Sequence, residues 1–306
     1  VTHRDLLFSM VYNLLGSVAD TEDVLQDTWL AWAGRWAGQA AGPIASPRAY
    51  LVRVAVNRAL AQQAAIARRR EEYPGPWLPD PLIAASDMTL DEIAPDRLAP
   101  DQAARDQPGE DPAVRAESVS IALLVVLETL TPLERAVFVL HEVFGYTHAE
   151  IAEILDRSPA ATRQVGHRAR EHVHARRPRY RTDPQVRRRV TERFLAAVTG
   201  GDLGALMQVL APDVTLWADG GGKGRAAGRH PVHGRDKVAR MVIGEAFRHP
   251  VPDLAVRIML VNGEPAALLT SAGRPYMVIF LDLEPGGDKV RGIYAVSNPD
   301  KLPANA

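Results

Sequence analysis

The sequence predicts a multidomain chain: two all-α domains, then an α+β domain whose curved, mostly antiparallel sheet wraps onto helices. Three observations carry that prediction. Apolar residues recur at helical spacing behind capping signals over residues 1–72 and again over 113–180. Between these blocks periodicity lapses, and prolines stand at 74, 76, 79, 81, 95, 100, 108 and 112, which marks 73–112 as a linker. Over 181–306 helices give way to alternating strands, with a strong hairpin signal at Asn262-Gly263 and looser ones at Ala272-Gly273 and Gly286-Gly287.

In the first block, Leu6, Leu7, Met10, Val11, Leu14 and Leu15 form a helical stripe that stops at Gly16. A second helix, capped by Asp20, is expected to bury Val24, Leu25, Thr28, Trp29 and Trp32. Its other face sets Asp23, Gln26 and Asp27 beside Leu30, an acidic stripe with one apolar contact that suits a basic partner surface or simply faces solvent. Ser46-Pro47 caps a third helix past Tyr50, Leu51, Val54, Val56 and Leu60, with Arg53, Asn57, Arg58 and Gln62 along its polar side. Asparagine is a poor helix former, so Asn57 is a candidate for a polar role such as contact with a nucleic-acid strand.

Within the linker, Trp77-Leu78-Pro79-Asp80-Pro81 stands out, because a large aromatic in a proline-stiffened segment needs a pocket to cover it. A helix over residues 113–129 then packs Ile121, Leu124, Val125 and Leu127. Thr131-Pro132-Leu133-Glu134 and Thr147-His148-Ala149-Glu150 are successive capping boxes. The first opens a helix with Leu133, Val137, Phe138, Leu140 and Val143 inward, ending at Gly145; the second opens a short helix through Ile151, Ile154 and Leu155. After a turn at Asp156-Arg157, Ser158-Pro159 caps a basic helix that exposes Arg163, Gln164, His167, Arg168 and Arg170 and turns Ala161, Val165 and Ala169 inward. A scaffold helix, a tight turn and a helix with bidentate-capable side chains near its start are what major-groove reading requires. Arginines at 157, 163, 168, 170, 176, 177, 179 and 181, against the single acid Glu171, draw phosphate to this surface.

In the last block a helix with Val190, Phe194, Leu195 and Val198 ends at Gly200-Gly201. A strand at 214–217, a helix at about 236–247 and strands near 254–261, 266–270, 276–283 and 290–296 follow, an order that reads as an α+β domain.

At 306 residues, 46% hydrophobic, 24% charged and with a net charge of -1, the chain has the composition of a soluble globular protein. The absence of cysteine excludes disulfides and thiolate metal sites. No apolar run approaches the roughly 20 residues that span a bilayer, so the expected location is the cytoplasm and no membrane partner is expected. The histidines have no ligand-like grouping with carboxylates, so no metal and no cofactor are expected.

The order of parts resembles the extracytoplasmic-function sigma factors of bacterial RNA polymerase, which hold regions called sigma-2 and sigma-4. The resemblance is carried by residues 15–30, by Ser46-Pro47-Arg48-Ala49-Tyr50-Leu51, by the linker and by residues 133–170. It implies that Asp23, Gln26, Asp27 and Leu30 meet core RNA polymerase, that Arg53, Asn57 and Arg58 face the melted downstream element of promoter DNA, and that the helix with Ser158, Arg163, Gln164, His167, Arg168 and Arg170 reads the upstream element. Members often carry an aspartate and an arginine four and seven residues beyond the Asn57 position, where this chain has Ala61 and Ala64. The tail resembles the SnoaL-like cone domain fused to one subgroup. Three motifs carry that match: Trp77-Leu78-Pro79-Asp80-Pro81, Asp219-Gly220-Gly221-Gly222-Lys223 and Asn298-Pro299-Asp300-Lys301-Leu302. The implied role is regulation in cis, the tail touching the linker in place of a separate anti-sigma protein.

The expected function is therefore promoter-specific transcription initiation, without enzymatic activity. The alternative is a free-standing helix-turn-helix regulator with a ligand-sensing or enzymatic tail, for which a small-molecule ligand in the cone is expected. Asp219, Asp282, His233, His230 and Arg235 are the titratable candidates for such chemistry, although fold analogy alone places none of them in a site.

Overall fold

The computed structural model describes residues 3–37, 44, 46–83, 119–176, 183–223, 228 and 230–303. The part of the predicted linker from 84 on, the first residues of the helix expected from 113, and Arg177, Arg179 and Arg181 lie outside the described residues. The described chain divides into a helical unit, residues 3–72 with 119 and 123–176, and an α+β unit that holds 73–83, 120–122 and 183–303.

The helical unit opens with α1 (Arg4–Leu15), which buries Leu6, Leu7, Met10, Val11 and Leu14 and stops where Gly16 turns left-handed at φ 70°. α2 (Val18–Ala37) starts earlier than expected. The Ser17 hydroxyl accepts from the Asp20 amide at 3.4 Å, so serine caps the helix, while Asp20 sits nearly buried and receives Gln62 and Arg69. Trp29 is also corrected: it is 60% exposed beside Leu30 at 59%. The buried line of α2 runs through Thr21, Val24 and Thr28, and a residue five past Val24 lies about 140° around a helix of 3.6 residues per turn. α3 (Pro47–Glu71) begins as its sequence predicts, with the Ser46 hydroxyl accepting from the Ala49 amide, and buries Val52, Ala55, Val56, Ala59 and Ile66.

The second half of this unit contains the greater part of α4 (Ile121–Leu127), then α5 (Pro132–Phe138), α6 (His148–Leu155) and α7 (Pro159–Arg176). Both capping boxes form, Thr131 with Glu134 and Thr147 with Glu150. The helix expected to run regularly to Gly145 instead widens into a π-helical turn over Val139–Val143, in which Val143 is half-buried; Leu133, in the first turn of α5, is half-buried as well. Asp156 takes the left-handed conformation at φ 53° that makes the tight turn, and Val165, Ala169 and Val173 pack inward. Thr162 is buried where Ala161 was expected.

In the α+β unit, α8 (Pro184–Thr199), α9 (Leu203–Val209) and α10 (Arg235–Arg248) cover one face of a six-stranded sheet. Its strands are β1 (Leu210–Asp219), β2 (Val232–His233), β3 (Leu254–Val261), β4 (Glu264–Ser271), β5 (Arg274–Leu283) and β6 (Val290–Val296), in spatial order β2-β1-β6-β5-β4-β3. Every pairing is antiparallel except β1 with β6, so the sheet is mixed and open. Both Asn262-Gly263 and Ala272-Gly273 have positive φ, the geometry of tight hairpins. Val190 and Phe194 of α8, Leu206 and Val209 of α9, and Val238 and Ala239 of α10 meet Leu216, Leu281, Ile293 and Ala295. Each large apolar side chain sealed here contributes about 1.5–3 kcal/mol. The linker's first segment belongs to this unit: Ile83 bridges Val261, and the Asn262 side chain and amide exchange hydrogen bonds with Leu82, both at 3.0 Å.

Candidate functional sites

The three glycine- and proline-rich motifs meet at one carboxylate. Asp219 ends β1 and is fully buried. Its Oδ1 accepts from the Tyr73 hydroxyl at 2.5 Å and the Gly221 amide at 3.2 Å, and its Oδ2 from the Leu78 amide at 2.9 Å and Lys301 Nζ at 2.8 Å. Its own carbonyl takes the Ser297 and Asn298 amides. Lys301 is 8% exposed, lies 4.0 Å above the Trp77 ring, donates to the Leu78 carbonyl and stands 3.8 Å from Asp80. Asn298 Nδ2 closes the network on the Tyr73 hydroxyl at 2.7 Å.

Glycine is required in the Asp219 loop on two counts. Gly221 and Gly222 have φ of 58° and 73°, and a Cβ at Gly221 would stand 2.4 Å from Asn298 Nδ2, while one at Gly222 would stand 2.9 Å from Pro74. Lys223 reaches Asp300 at 2.6 Å on the surface. Gly220 and Pro79 are buried, Leu302 half-buried and Pro299 exposed. Burial, then the Asp219 carboxylate, raises the Tyr73 phenol well above its ordinary value. Tyr73 lies outside the three motifs; its only signal in the sequence is an aromatic placed directly ahead of a proline-rich stretch.

In the helical unit, Arg163, Gln164, His167 and Arg168 project from α7 into solvent, as does Ser158 at its start. Arg170 is half-buried, 3.7 Å from Glu142. On α2, Asp23, Gln26, Asp27 and Leu30 share one exposed face with Trp29. A cleft of about 640 Å³ lies over α2 and α3, lined by Arg35, Tyr50, Arg53, Val54, Asn57, Arg58 and Ala61. Arg35 sits over the Tyr50 ring, and Arg58 pairs with Asp27 at 2.8 Å, so one member of the acidic stripe already holds one member of the basic cleft. The amide of Asn57 donates to the Arg53 carbonyl at 2.8 Å and to the Ile154 carbonyl of α6 at 2.9 Å.

The titratable candidates for chemistry in the tail have separate partners. Asp219 is held as above, Asp282 pairs with Arg291 at 3.1 Å, and His233 meets the Thr215 hydroxyl at 3.0 Å; His230 is exposed and Arg235 opens α10. No group of three or more potential metal ligands occurs among the described residues, and none of their helices is long and apolar enough to cross a membrane.

Comparison with known proteins defines the class first. Residues 1–70 match the Sigma-70 region 2 family, residues 120–173 Sigma-70, region 4, and residues 191–292 the SnoaL-like domain. The ECF RNA polymerase sigma factor SigJ of Mycobacterium tuberculosis (strain ATCC 25618 / H37Rv) is 37% identical over 309 residues, covering 98% of this chain and 90% of that protein. The probable ECF RNA polymerase sigma factor SigI of Mycobacterium tuberculosis (strain CDC 1551 / Oshkosh) is 29% identical, covering 98% of this chain and 92% of its own. The crystal structure of Mycobacterium tuberculosis SigJ superposes with a TM-score of 0.72 at 31% identity, covering 99% of this chain and 98% of that one. The chain belongs to the extracytoplasmic-function RNA polymerase sigma factors, and it carries the C-terminal SnoaL-like domain.

Proposed function

We propose that this sigma factor joins core RNA polymerase through the exposed face of α2, with Asp23, Gln26 and Asp27 supplying charge and Trp29 and Leu30 apolar contact. Arg53, Asn57 and Arg58 face the melted downstream promoter element. α7 reads the upstream element through Arg163, Gln164, His167, Arg168 and Arg170, with Ser158 at its start. The protein acts in the cytoplasm, and the tail has a regulatory rather than a catalytic role: it tunes promoter and polymerase binding by gripping residues 73–83 of the linker. The observation that supports this regulatory reading best is the convergence of all three motifs on the buried pair Asp219–Lys301.

Reconstituted transcription with core polymerase tests the assignment. Arg163→Ala is expected to weaken upstream-element binding by about 1–3 kcal/mol while leaving polymerase association intact. Asp27→Arg is expected to do the reverse. Removing the chain from Pro184 onward is expected to change promoter activity. A protein that shifts promoter DNA alone and never associates with core polymerase would refute the docking assignment, and a truncated protein with unaltered transcription would refute the regulatory one.

A further inference from the structure

The helices of the α+β unit fill one face of the sheet, packing Phe194, Leu206 and Val238 against Leu216, Leu281, Ile293 and Ala295. Side chains alternate along a strand, so Thr215 and Trp217 of β1, Asp282 of β5, and Gly292 and Tyr294 of β6 belong to the opposite face. With Asp213 and Arg291 they line a cleft of about 240 Å³ that the transcription assignments leave unused. The ligand expected from the sequence is inside the cone; this cleft is on the other side of the sheet.

Two irregularities in strand pairing build it. Leu210 pairs with Val290 and Thr215 with Gly292, so four residues of β1 stand against Arg291 alone. Across the other edge of β6, Asp282 pairs with Gly292 and Leu283 with Val290, which again leaves Arg291 without an opposite residue. Bulges re-aim side chains and are frequent beside functional sites. Here Asp213 is exposed, and Arg291 stands 3.1 Å from Asp282. Thr215, Gly292 and Asp282 form one row across three strands. Glycine in that row makes room for the Tyr294 ring, since a Cβ there would stand 3.3 Å from the Tyr294 hydroxyl and 3.2 Å from the Asp282 Cβ. Trp217 stacks on Tyr294 at 4.8 Å between centroids and 11° between planes, and the Thr215 hydroxyl meets His233 at 3.0 Å.

Charge decides what the cleft can hold. Asp282 and Arg291 neutralise each other, while Asp213 has no ion-pair partner among the described residues, so two carboxylates against one guanidinium leave a net negative charge. A bare metal ion finds too few ligands, because no group of three occurs among the described residues. An ammonium ion answers the charge, and aromatic rings are the surfaces on which organic ammonium ions settle. The hydroxyl-bearing side chains of Thr215 and Tyr294 suit a polar chain rather than a hydrocarbon.

We propose that this cleft binds a small organic cation, an ammonium group on a short hydroxyl-bearing chain. Calorimetric titration of the full-length protein with choline and with ethanolamine, at constant ionic strength, is expected to show saturable binding of at least one of them. The uncharged carbon isostere of choline is expected to bind at least about tenfold more weakly, which corresponds to about 1.4 kcal/mol for the lost charge. Asp213→Asn is expected to weaken cation binding on the order of tenfold, and Trp217→Leu to weaken it too, with circular dichroism unchanged. Asp253→Asn removes an exposed carboxylate just ahead of β3, at the far edge of the sheet, and is expected to leave binding as it was. No saturable binding of either cation, equal affinity for the isostere, or an equal effect of Asp213→Asn and Asp253→Asn overturns the site.

Discussion

Lys301→Met is the most informative single change in the α+β unit. The side chain is 8% exposed and Asp219 not exposed at all, so removing the ammonium leaves a fully buried carboxylate without it and takes away a cation 3.8 Å from Asp80. Breaking a buried pair by removing one partner costs about 3–5 kcal/mol, since the remaining charge keeps its desolvation penalty. Here the lower end applies, because the Tyr73 hydroxyl and the Leu78 and Gly221 amides still donate to Asp219. Loss of the ammonium over Trp77 adds about 0.5–2 kcal/mol. With a slope of about 2 kcal/mol per molar urea, a 3 kcal/mol loss moves the unfolding midpoint down by roughly 1.5 M. Urea titration followed by tryptophan fluorescence reads it, Trp77 reporting on the contact itself. Asp219→Asn combined with Lys301→Met replaces the ion pair by neutral groups and is expected to recover much of the loss. A midpoint shift worth less than about 1 kcal/mol for Lys301→Met, or a double variant as unstable as the two single effects added, would show that the pair does not hold the linker.

Three further outcomes follow from the same geometry. Tyr73 has a raised phenol, and a raised folded-state value means its contribution is complete below the unfolded value of about 10 and lost as pH climbs above it. Tyr73→Phe should therefore be less stable at neutral pH, yet lose less stability between pH 9 and pH 11, as denaturant midpoints at each pH will show. His148 is lowered, mainly by burial, with His141, Arg170 and Arg163 adding to the effect and Glu142 opposing it. Its contribution is then complete above the unfolded value of about 6.5 and lost as pH falls below it, so His148→Gln should flatten the acid side of the stability profile. Thr147→Ala removes the cap that receives the Glu150 amide at 3.3 Å and is expected to destabilise the helical unit by about 1 kcal/mol in thermal melts.

The sequence made visible what local chemistry decides. Capping at Ser46, Thr131 and Thr147, the left-handed stop at Gly16 and the hairpin at Asn262-Gly263 each depend on neighbours within a few residues, and each appears where the residue types require it. What depends on distant partners was not legible. Trp29 reads as one of several apolar residues on α2, and only the packing of α1 and α3 decides which line of that helix is covered. Asp20 has the chemistry of a cap, but Gln62 and Arg69 across the bundle take its carboxylate. Val139–Val143 has good helical periodicity, and nothing in its composition signals the widened turn. The parallel pairing of β1 with β6 joins strands about 80 residues apart in the chain, beyond any turn signal. The motifs around Asp219 were visible as strings; that Tyr73 completes them follows from a hydrogen bond spanning 146 positions.

Covalent length sharpens what the grip on residues 73–83 can do. Those eleven residues, from Tyr73 to Ile83, are fixed within the α+β unit and no longer lengthen the tether between region 2 and region 4. Thirty-five residues separate Ile83 from Val119, and at about 3.4 Å each their extended reach is still roughly 120 Å. Shortening the tether therefore cannot by itself prevent the two promoter-reading regions from separating. Any restraint in cis must come from contact energy, such as that of the buried Asp219–Lys301 pair that holds residues 73–83. Weakening that pair is therefore expected to alter promoter activity in reconstituted transcription, even though the tether keeps its full reach.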